Sequence, residues 1–302
     1  MNVKLLTHTP EPEKLVASAA KLCYSAAEIE TLMNNLTEDK IDEFINRLSK
    51  MGHESPIEHV TFTFGIEDVS RALLAQITRH RIASYSVQSQ RYVDMTNFSY
   101  VIPPVFDKNE TLRKDYVNLM DEIALSYEDF QTRILASILS EQHPELVKKV
   151  IFNAALSFGD EAYATSLSEE VFEYWYDIEK CPDGYKEKFD FYLHTFLDAF
   201  KEEYPAIYRD TKKIAQEDAR FVLPNACTTK LIVTMNARSL LNFYRLRCCS
   251  RAQWEIRELA CEMLKLTKEV SPLLFKYAGP SCVKGKCPEG SMSCGKPFPK
   301  VN

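Results

Sequence analysis

The chain has 302 residues, is 45% hydrophobic and 26% charged, and carries a net charge of −6. That length supports one large domain or two ordinary ones, and the composition excludes a disordered, collagen-like or disulfide-dense polypeptide. No apolar run reaches the roughly 18 residues of a membrane span, and the mild acidity argues against a general nucleic-acid or membrane binder. The opening MNVKLLTHTP has no signal-peptide pattern, since Glu11 and Glu13 interrupt it. The nine cysteines are odd in number and scattered, which fits a reduced, cytoplasmic chain.

In chain order, residues 13–23 place Leu15, Val16, Ala19, Leu22 and Cys23 at helical spacing. Thr37 opens a second helix with Ile41, Phe44, Ile45 and Leu48 as its buried stripe. Gly52 ends it as a C-cap. A polar loop follows at 53–59, then a β-branched and aromatic run at 60–66 that predicts a strand. Residues 69–80 return to helix, with Asp68 or Ser70 as cap and Val69, Leu73, Leu74 and Ile77 facing inward. Pro103-Pro104 loosens the pattern. Residues 109–140 predict a long helix and 144–158 another. The acidic, aromatic stretch 160–210 (Phe172, Tyr174, Trp175, Tyr176, Phe189) predicts further helix, with a turn at Cys181-Pro182-Asp183-Gly184. Helix resumes near 211–220 and ends before Pro224. Residues 227–235 form the second clear strand pattern, followed by helices at about 237–247 and 251–270. The Gly/Pro/Lys-rich tail 278–302 reads as loop or disorder. No internal repeat is present. The fold class is α+β and helix-heavy.

Arginine and glycine are unevenly spread. Ten of the fourteen arginines fall in two blocks, Arg71, Arg79, Arg81 and Arg91, then Arg220, Arg238, Arg245, Arg247, Arg251 and Arg257. An acidic chain that gathers permanently charged planar forks in two places points to an anion, with helix-surface salt bridging as the alternative. Four of the eight glycines lie in the tail, and none lies between Gly65 and Gly159. That excludes a Gly-rich dinucleotide fingerprint and a P-loop, so a bound phosphate must be held by side chains or helix ends.

The densest polar patch is Arg79-His80-Arg81-Ile82-Ala83-Ser84-Tyr85-Ser86-Val87-Gln88-Ser89-Gln90-Arg91-Tyr92. Arg79 with Arg81 can straddle a pyrophosphate, and Ser89 with Arg91 makes a compact phosphate grip. A solvated basic turn is the bland alternative.

The pattern R-H-R, seven residues, then Ser89 resembles the signature of the flavin-dependent thymidylate synthases, the ThyX family. Gly52-His53-Glu54-Ser55-Pro56-Ile57-Glu58-His59 is similar to that family's N-terminal block, Gln76 precedes the arginine motif, and Arg220-Phe221-Val222-Leu223-Pro224 resembles its R-x-x-L-P. Asn236-Ala237-Arg238-Ser239-Leu240-Leu241-Asn242-Phe243, Leu246-Arg247 and Ala252-Gln253-Trp254-Glu255-Ile256 resemble the C-terminal block. The resemblance covers roughly 1–95 and 215–275.

It implies a single catalytic domain over 1–302 with the thymidylate synthase-complementing fold: α+β, helix-rich, with a small antiparallel or mixed sheet, a helical insertion at about 97–210 and a Cys/Gly/Pro-rich tail. It implies conversion of dUMP to dTMP, with methylenetetrahydrofolate as one-carbon donor and NADPH-reduced FAD as hydride donor, in a homotetramer whose active sites are shared between subunits. Residue by residue, it assigns Ser55, Arg79, His80, Arg81, Asn236, Arg238 and Asn242 to FAD. It assigns Gln76, Arg79, Ser89, Gln90, Arg91, Arg220 and Arg247 to dUMP. Arg247, His53 and Arg79 are the catalytic candidates, with Arg247 first. A guanidinium facing the uracil C2 oxygen stabilises an enolate-like ring, which makes C5 electron-rich. Ser89 beside Arg91 suits a phosphate donor better than a nucleophile, since no Ser/His/acid triad is legible. Relatives often carry Asn-Glu where this chain has Ser86-Val87. The insertion reads as a packing or oligomer appendage, with a lid over the folate site as the alternative. Cys282, Cys287 and Cys294 are spaced more widely than zinc ligands usually are, so a metal role is the lesser reading, and Cys248 and Cys249 read as packing residues. A nucleotide- or nucleic-acid-binding module that uses the arginine patches, without flavin, is the competing function.

Overall fold

The structure is a computed structural model that describes residues 1–174 and 186–298. Trp175, Tyr176, the predicted turn at 181–184 and the Phe189 side chain lie outside the described residues. The chain forms two compact units: Met1–Gln88 with Asn225–Asn302, and Ser89–Pro224.

The first unit is built on strands β1 (Asn2–His8), β2 (Thr61–Ser70), β3 (Ala83–Val87) and β4 (Thr228–Asn236), in the order β1-β2-β4-β3 with every pairing antiparallel. Alternation sets the faces: Phe62, Phe64 and Ile66 of β2 and Leu231, Val233 and Met235 of β4 point into one core. β2 runs past the predicted end at Ile66. Asp68 adopts a left-handed φ of 57°, and the register shifts between Ile66 and Val69. This bulge returns Val69 and Ser70 to the buried face. The predicted helix 69–80 is therefore shorter, α4 (Arg71–Ile77), with Ser70 as its cap: Ser70 Oγ accepts from the Leu73 amide at 3.0 Å.

Helices α1 (Pro12–Leu22), α2 (Ile29–Asn34) and α3 (Glu38–Met51) precede β2. Gly52 closes α3 at φ 69°, as the sequence predicts. Helices α10 (Ala237–Arg247) and α11 (Trp254–Val270) follow β4 and complete the core with Leu240, Phe243, Tyr244, Ile256, Leu259 and Met263. Burial of each such side chain contributes about 1.5–3 kcal/mol. The tail is not wholly loose: Ala278 belongs to this core and Phe298 packs against it, Val283 is buried, and the Phe298 amide donates to Cys282 Sγ at 3.3 Å.

The second unit is helical: α5 (Glu110–Gln142), α6 (Pro144–Ala155), α7 (Glu161–Tyr174), α8 (Lys186–Glu203) and α9 (Pro205–Ala219). Its core gathers Leu135, Leu139, Val150, Ile151, Phe196 and Phe200. The helix predicted to resume near 211 instead starts at Pro205. Pro is favourable in the first turn of a helix and ends the one before it.

Candidate active site

Two strand-to-helix junctions build the cleft of the first unit. β2 passes into α4, whose end leads into Arg79-His80-Arg81, and β4 passes into α10, whose last turn holds Arg245 and Arg247. Asn236 caps α10, its Oδ1 accepting from the Ser239 amide at 2.8 Å. Ser239 Oγ in turn donates to the Ile82 carbonyl at 3.1 Å. Ile82 sits at φ 62°, rare for a β-branched residue, and its side chain is 78% exposed.

These segments, with Glu54, Glu58 and, from the tail, Tyr277 and Lys284, line a cavity of about 850 Å3. Arg79, Arg81, Arg238, Arg245, Arg247 and Lys284 supply six cations against the two carboxylates of Glu54 and Glu58. In a chain of net charge −6, that local excess marks an anion site. Both carboxylates are already engaged: Arg238 Nε donates to Glu54 at 2.9 Å, and its Nη1 donates to Glu58. Arg79 and Arg81 have no ion-pair partner among the described residues.

Arg247 is half-buried, and its Nε donates to His80 Nε2 at 3.0 Å. His80 stands edge-on against buried Phe243, with ring centroids 4.9 Å apart. Burial, then the neighbouring Arg247 charge, pull its pKa down to about 4, so the ring is neutral near pH 7. The Tyr85 hydroxyl donates to the main-chain carbonyls of Ile77 (2.7 Å) and His80 (2.9 Å), which fixes the turn between α4 and β3.

The resemblance-assigned residues thus fall into groups. Arg79, His80, Arg81, Asn236, Arg238, Asn242 and Arg247 line one cleft. Gln76 lies in α4, two residues before that turn. His53 lines a smaller adjoining cavity of about 110 Å3 with Glu54, Leu241 and Tyr277. Ser55 is exposed at the start of a short 3-10 turn. Asn242 Oδ1 accepts from Arg245 at 2.8 Å. Val87 pairs with Leu231 and packs on the core, so it is a strand residue here.

Ser89, Gln90, Arg91 and Arg220 belong to the second unit. Ser89 Oγ accepts from the Arg91 amide at 3.2 Å. Arg91 Nη2 lies 2.7 Å from Glu217 Oε2, and Arg220 Nη2 lies 4.0 Å from Glu217 Oε1. The two arginines therefore converge on one carboxylate, and Arg91 Nε is buried without an acceptor among the described residues. Glu54, Glu58 and Glu217 were not singled out from the sequence as partners of these arginines. Glu54 and Glu58 stand in the N-terminal block, but only the fold shows which cation each meets.

Among the described residues, no group of three or more His, Cys, Asp or Glu side chains is placed to hold a metal ion, and no helix is long and apolar enough to cross a membrane. Cys248 is buried and its thiol is pushed up by Cys261 and by burial, which fits a packing role.

A family model described as thymidylate synthase complementing protein matches residues 4–273. A flavin-dependent thymidylate synthase from Clostridium tetani is 46% identical over 296 residues, covering 98% of this chain and 94% of that protein. One from Geobacter sulfurreducens is 40% identical over 296 residues, with the same two coverages, 98% and 94%. A solved structure of the flavin-dependent thymidylate synthase ThyX from Helicobacter pylori, complexed with FAD and dUMP, aligns with 92% of this chain and 100% of that chain at a TM-score of 0.48 and 21% identity. On the family match and the two near-full-length relatives, the chain belongs to the thymidylate synthase complementing protein family, that of the flavin-dependent thymidylate synthases.

Proposed function

We propose that this chain converts dUMP to dTMP, taking the one-carbon unit from methylenetetrahydrofolate and the hydride from FAD that NADPH has reduced. The observation that carries the reading is the cationic cleft of the first unit, where Arg247 is held against a neutral histidine. Its volume of about 850 Å3 lies within the usual range for cofactor sites. Six cations against two engaged carboxylates suit a dinucleotide pyrophosphate, so the residues present fit FAD. FAD, when bound, supplies the hydride chemistry, and the protein supplies position and charge.

In this reading Arg79, His80, Arg81 and Arg238 hold the cofactor with Ser55, Asn236 and Asn242. Asn236 already spends its Oδ1 on the helix cap, which leaves its amide nitrogen to donate. Gln76, Arg79, Ser89, Gln90, Arg91 and Arg220 hold dUMP. The buried, acceptor-less Nε of Arg91 supports that role, because a phosphate oxygen would satisfy it. Arg247 faces the pyrimidine carbonyl and stabilises the negative charge that builds as C5 becomes nucleophilic. His53 lies beside the cleft, in the flavin and folate region. We assign the working state as a cytoplasmic homotetramer with active sites shared between subunits, and the helices of the second unit as an insertion in one catalytic domain.

Purified protein carrying flavin should oxidise NADPH faster once dUMP is added and should release dTMP when methylenetetrahydrofolate is present. Arg247→Ala should lower dTMP formation by about 10²–10³-fold, the usual cost of losing one such charge-stabilising donor. Colourless protein with salt-dependent oligonucleotide binding would overturn the reading in favour of a nucleic-acid module.

A further inference from the structure

We propose that His80 is the positioning residue for Arg247: a neutral imidazole whose Nε2 accepts the Arg247 Nε proton and thereby aims the guanidinium edge into the cleft. This rests on the thymidylate synthase reading and adds to it a residue that acts through another.

The direction of the hydrogen bond follows from chemistry. A guanidinium has only donors and does not lose its proton in a protein. At 3.0 Å from Arg247 Nε, His80 Nε2 must therefore be the acceptor, so its remaining ring proton sits on Nδ1. A protonated ring would bring hydrogen against hydrogen and charge against like charge. The surroundings favour the neutral form from each side. Phe243 on α10 offers only an aromatic edge contact. Tyr85 on β3 binds the His80 carbonyl and not its ring. Arg79 and Arg81 flank it in the chain, and the carboxylates of the cleft, Glu54 and Glu58, are engaged by Arg238. Among the described residues, no anion is thus placed to draw a proton onto the ring.

The backbone of this histidine is also held. Tyr85 ties its carbonyl to that of Ile77, and Ser239 on α10 binds the carbonyl of Ile82 two residues on. The Arg-His-Arg turn and α10 are thus joined twice, once through main chain and once through the imidazole. With Nε occupied, Arg247 loses rotation about its last bonds and presents its Nη pair, which has no partner among the described residues. A fixed donor pair pays its ordering cost before substrate arrives.

The test uses the full chain with flavin and three variants. His80→Phe keeps a ring against Phe243 and removes the acceptor. His80→Gln keeps an acceptor near the place of Nε2. Arg247→Ala removes the group being aimed. His80→Phe should lower kcat by about 10²-fold per bound flavin, the scale of a misplaced catalytic group, with the rate counted only on the flavin-loaded fraction and the melting temperature unchanged. His80→Gln should recover to within about tenfold of wild type. The His80→Phe/Arg247→Ala double variant should be no slower than Arg247→Ala alone, the mark of residues that act as one unit. Equal losses in Phe and Gln, or multiplicative losses in the double variant, would overturn the proposal. ¹⁵N-histidine NMR gives an arm that needs no turnover: His80 should show an unprotonated Nε2 at pH 7, perturbed in Arg247→Ala. A proton found on Nε2 would end the proposal even if dTMP is made. Absence of dTMP with the expected nitrogen signal would instead reject the functional reading and retain the hydrogen bond.

Discussion

Glu255 offers the sharpest test of how the cleft is supported. It lies in the first turn of α11 and is 2% exposed. One carboxylate oxygen accepts from the Ser70 amide at 2.7 Å and the other from Ser70 Oγ at 2.5 Å. Ser70 ends β2 and caps α4, the helix that leads into the Arg-His-Arg turn. Glu255→Ala strips two buried donors of their acceptor. An unsatisfied buried donor costs about 1–3 kcal/mol, and the Ser70 hydroxyl can turn to relieve part of its share, so the loss should be about 2–5 kcal/mol. For a chain of 302 residues that corresponds to a fall of roughly 3–8 °C in melting temperature. Glu255→Gln keeps one acceptor and should lose less than half as much. Differential scanning calorimetry of the three proteins, with and without flavin, measures both. If Glu255→Ala melts within about 1 °C of wild type, the carboxylate is not holding the β2–α4 junction and the argument fails.

The low pKa of His80 makes stability depend on pH. The unfolded chain binds a proton at about 6.5 and the folded chain only near 4, so stability should fall as pH drops through that window. The ring is half-exposed, and after solvent screening the loss should be no more than about 1–2 kcal/mol; urea midpoints against pH should show it in wild type and not in His80→Gln. Glu58→Gln frees part of Arg238 and should tighten flavin binding by about 3–10-fold at low salt, an advantage that fades as ionic strength rises; titration of the flavin-free protein tests it. Arg91→Ala removes charge-assisted bonds of about 1.5–3 kcal/mol and should raise the KM for dUMP by roughly 10–100-fold, with flavin content unchanged.

Local chemistry was the legible part of this chain. Gly52 and Ser70 could be read as caps because each satisfies its helix end with its own conformation or side chain. The strand at 228–236 was legible because its alternation is unbroken. β1 was missed: Lys4 and exposed Leu6 blur the alternation, and the strand is held by pairing with β2 some sixty residues away. Glu67-Asp68 masked the end of β2, since a bulge restores a pattern that a simple period of two cannot see. The arginines of the cleft stood out, but their carboxylates did not. Arg238 meets Glu54 across 184 positions of sequence, and Arg91 meets Glu217 only because a helical unit folds back on itself. Such pairings are set by tertiary structure and leave no spacing to read.

The excursion from Ser89 to Pro224 leaves the sheet after β3 and rejoins it before β4, and those two strands are antiparallel neighbours. Gln88 still bonds the Lys230 carbonyl, while the Asn225 carbonyl accepts from Ala72. Departure and return thus occur at one end of a single ladder, as the two legs of a hairpin would. Whatever is grafted there can grow, shrink or be exchanged while the ladder and its register stay intact, because a longer closure adds only slowly to the entropic cost. Variation in length among homologous chains should therefore concentrate at this seam.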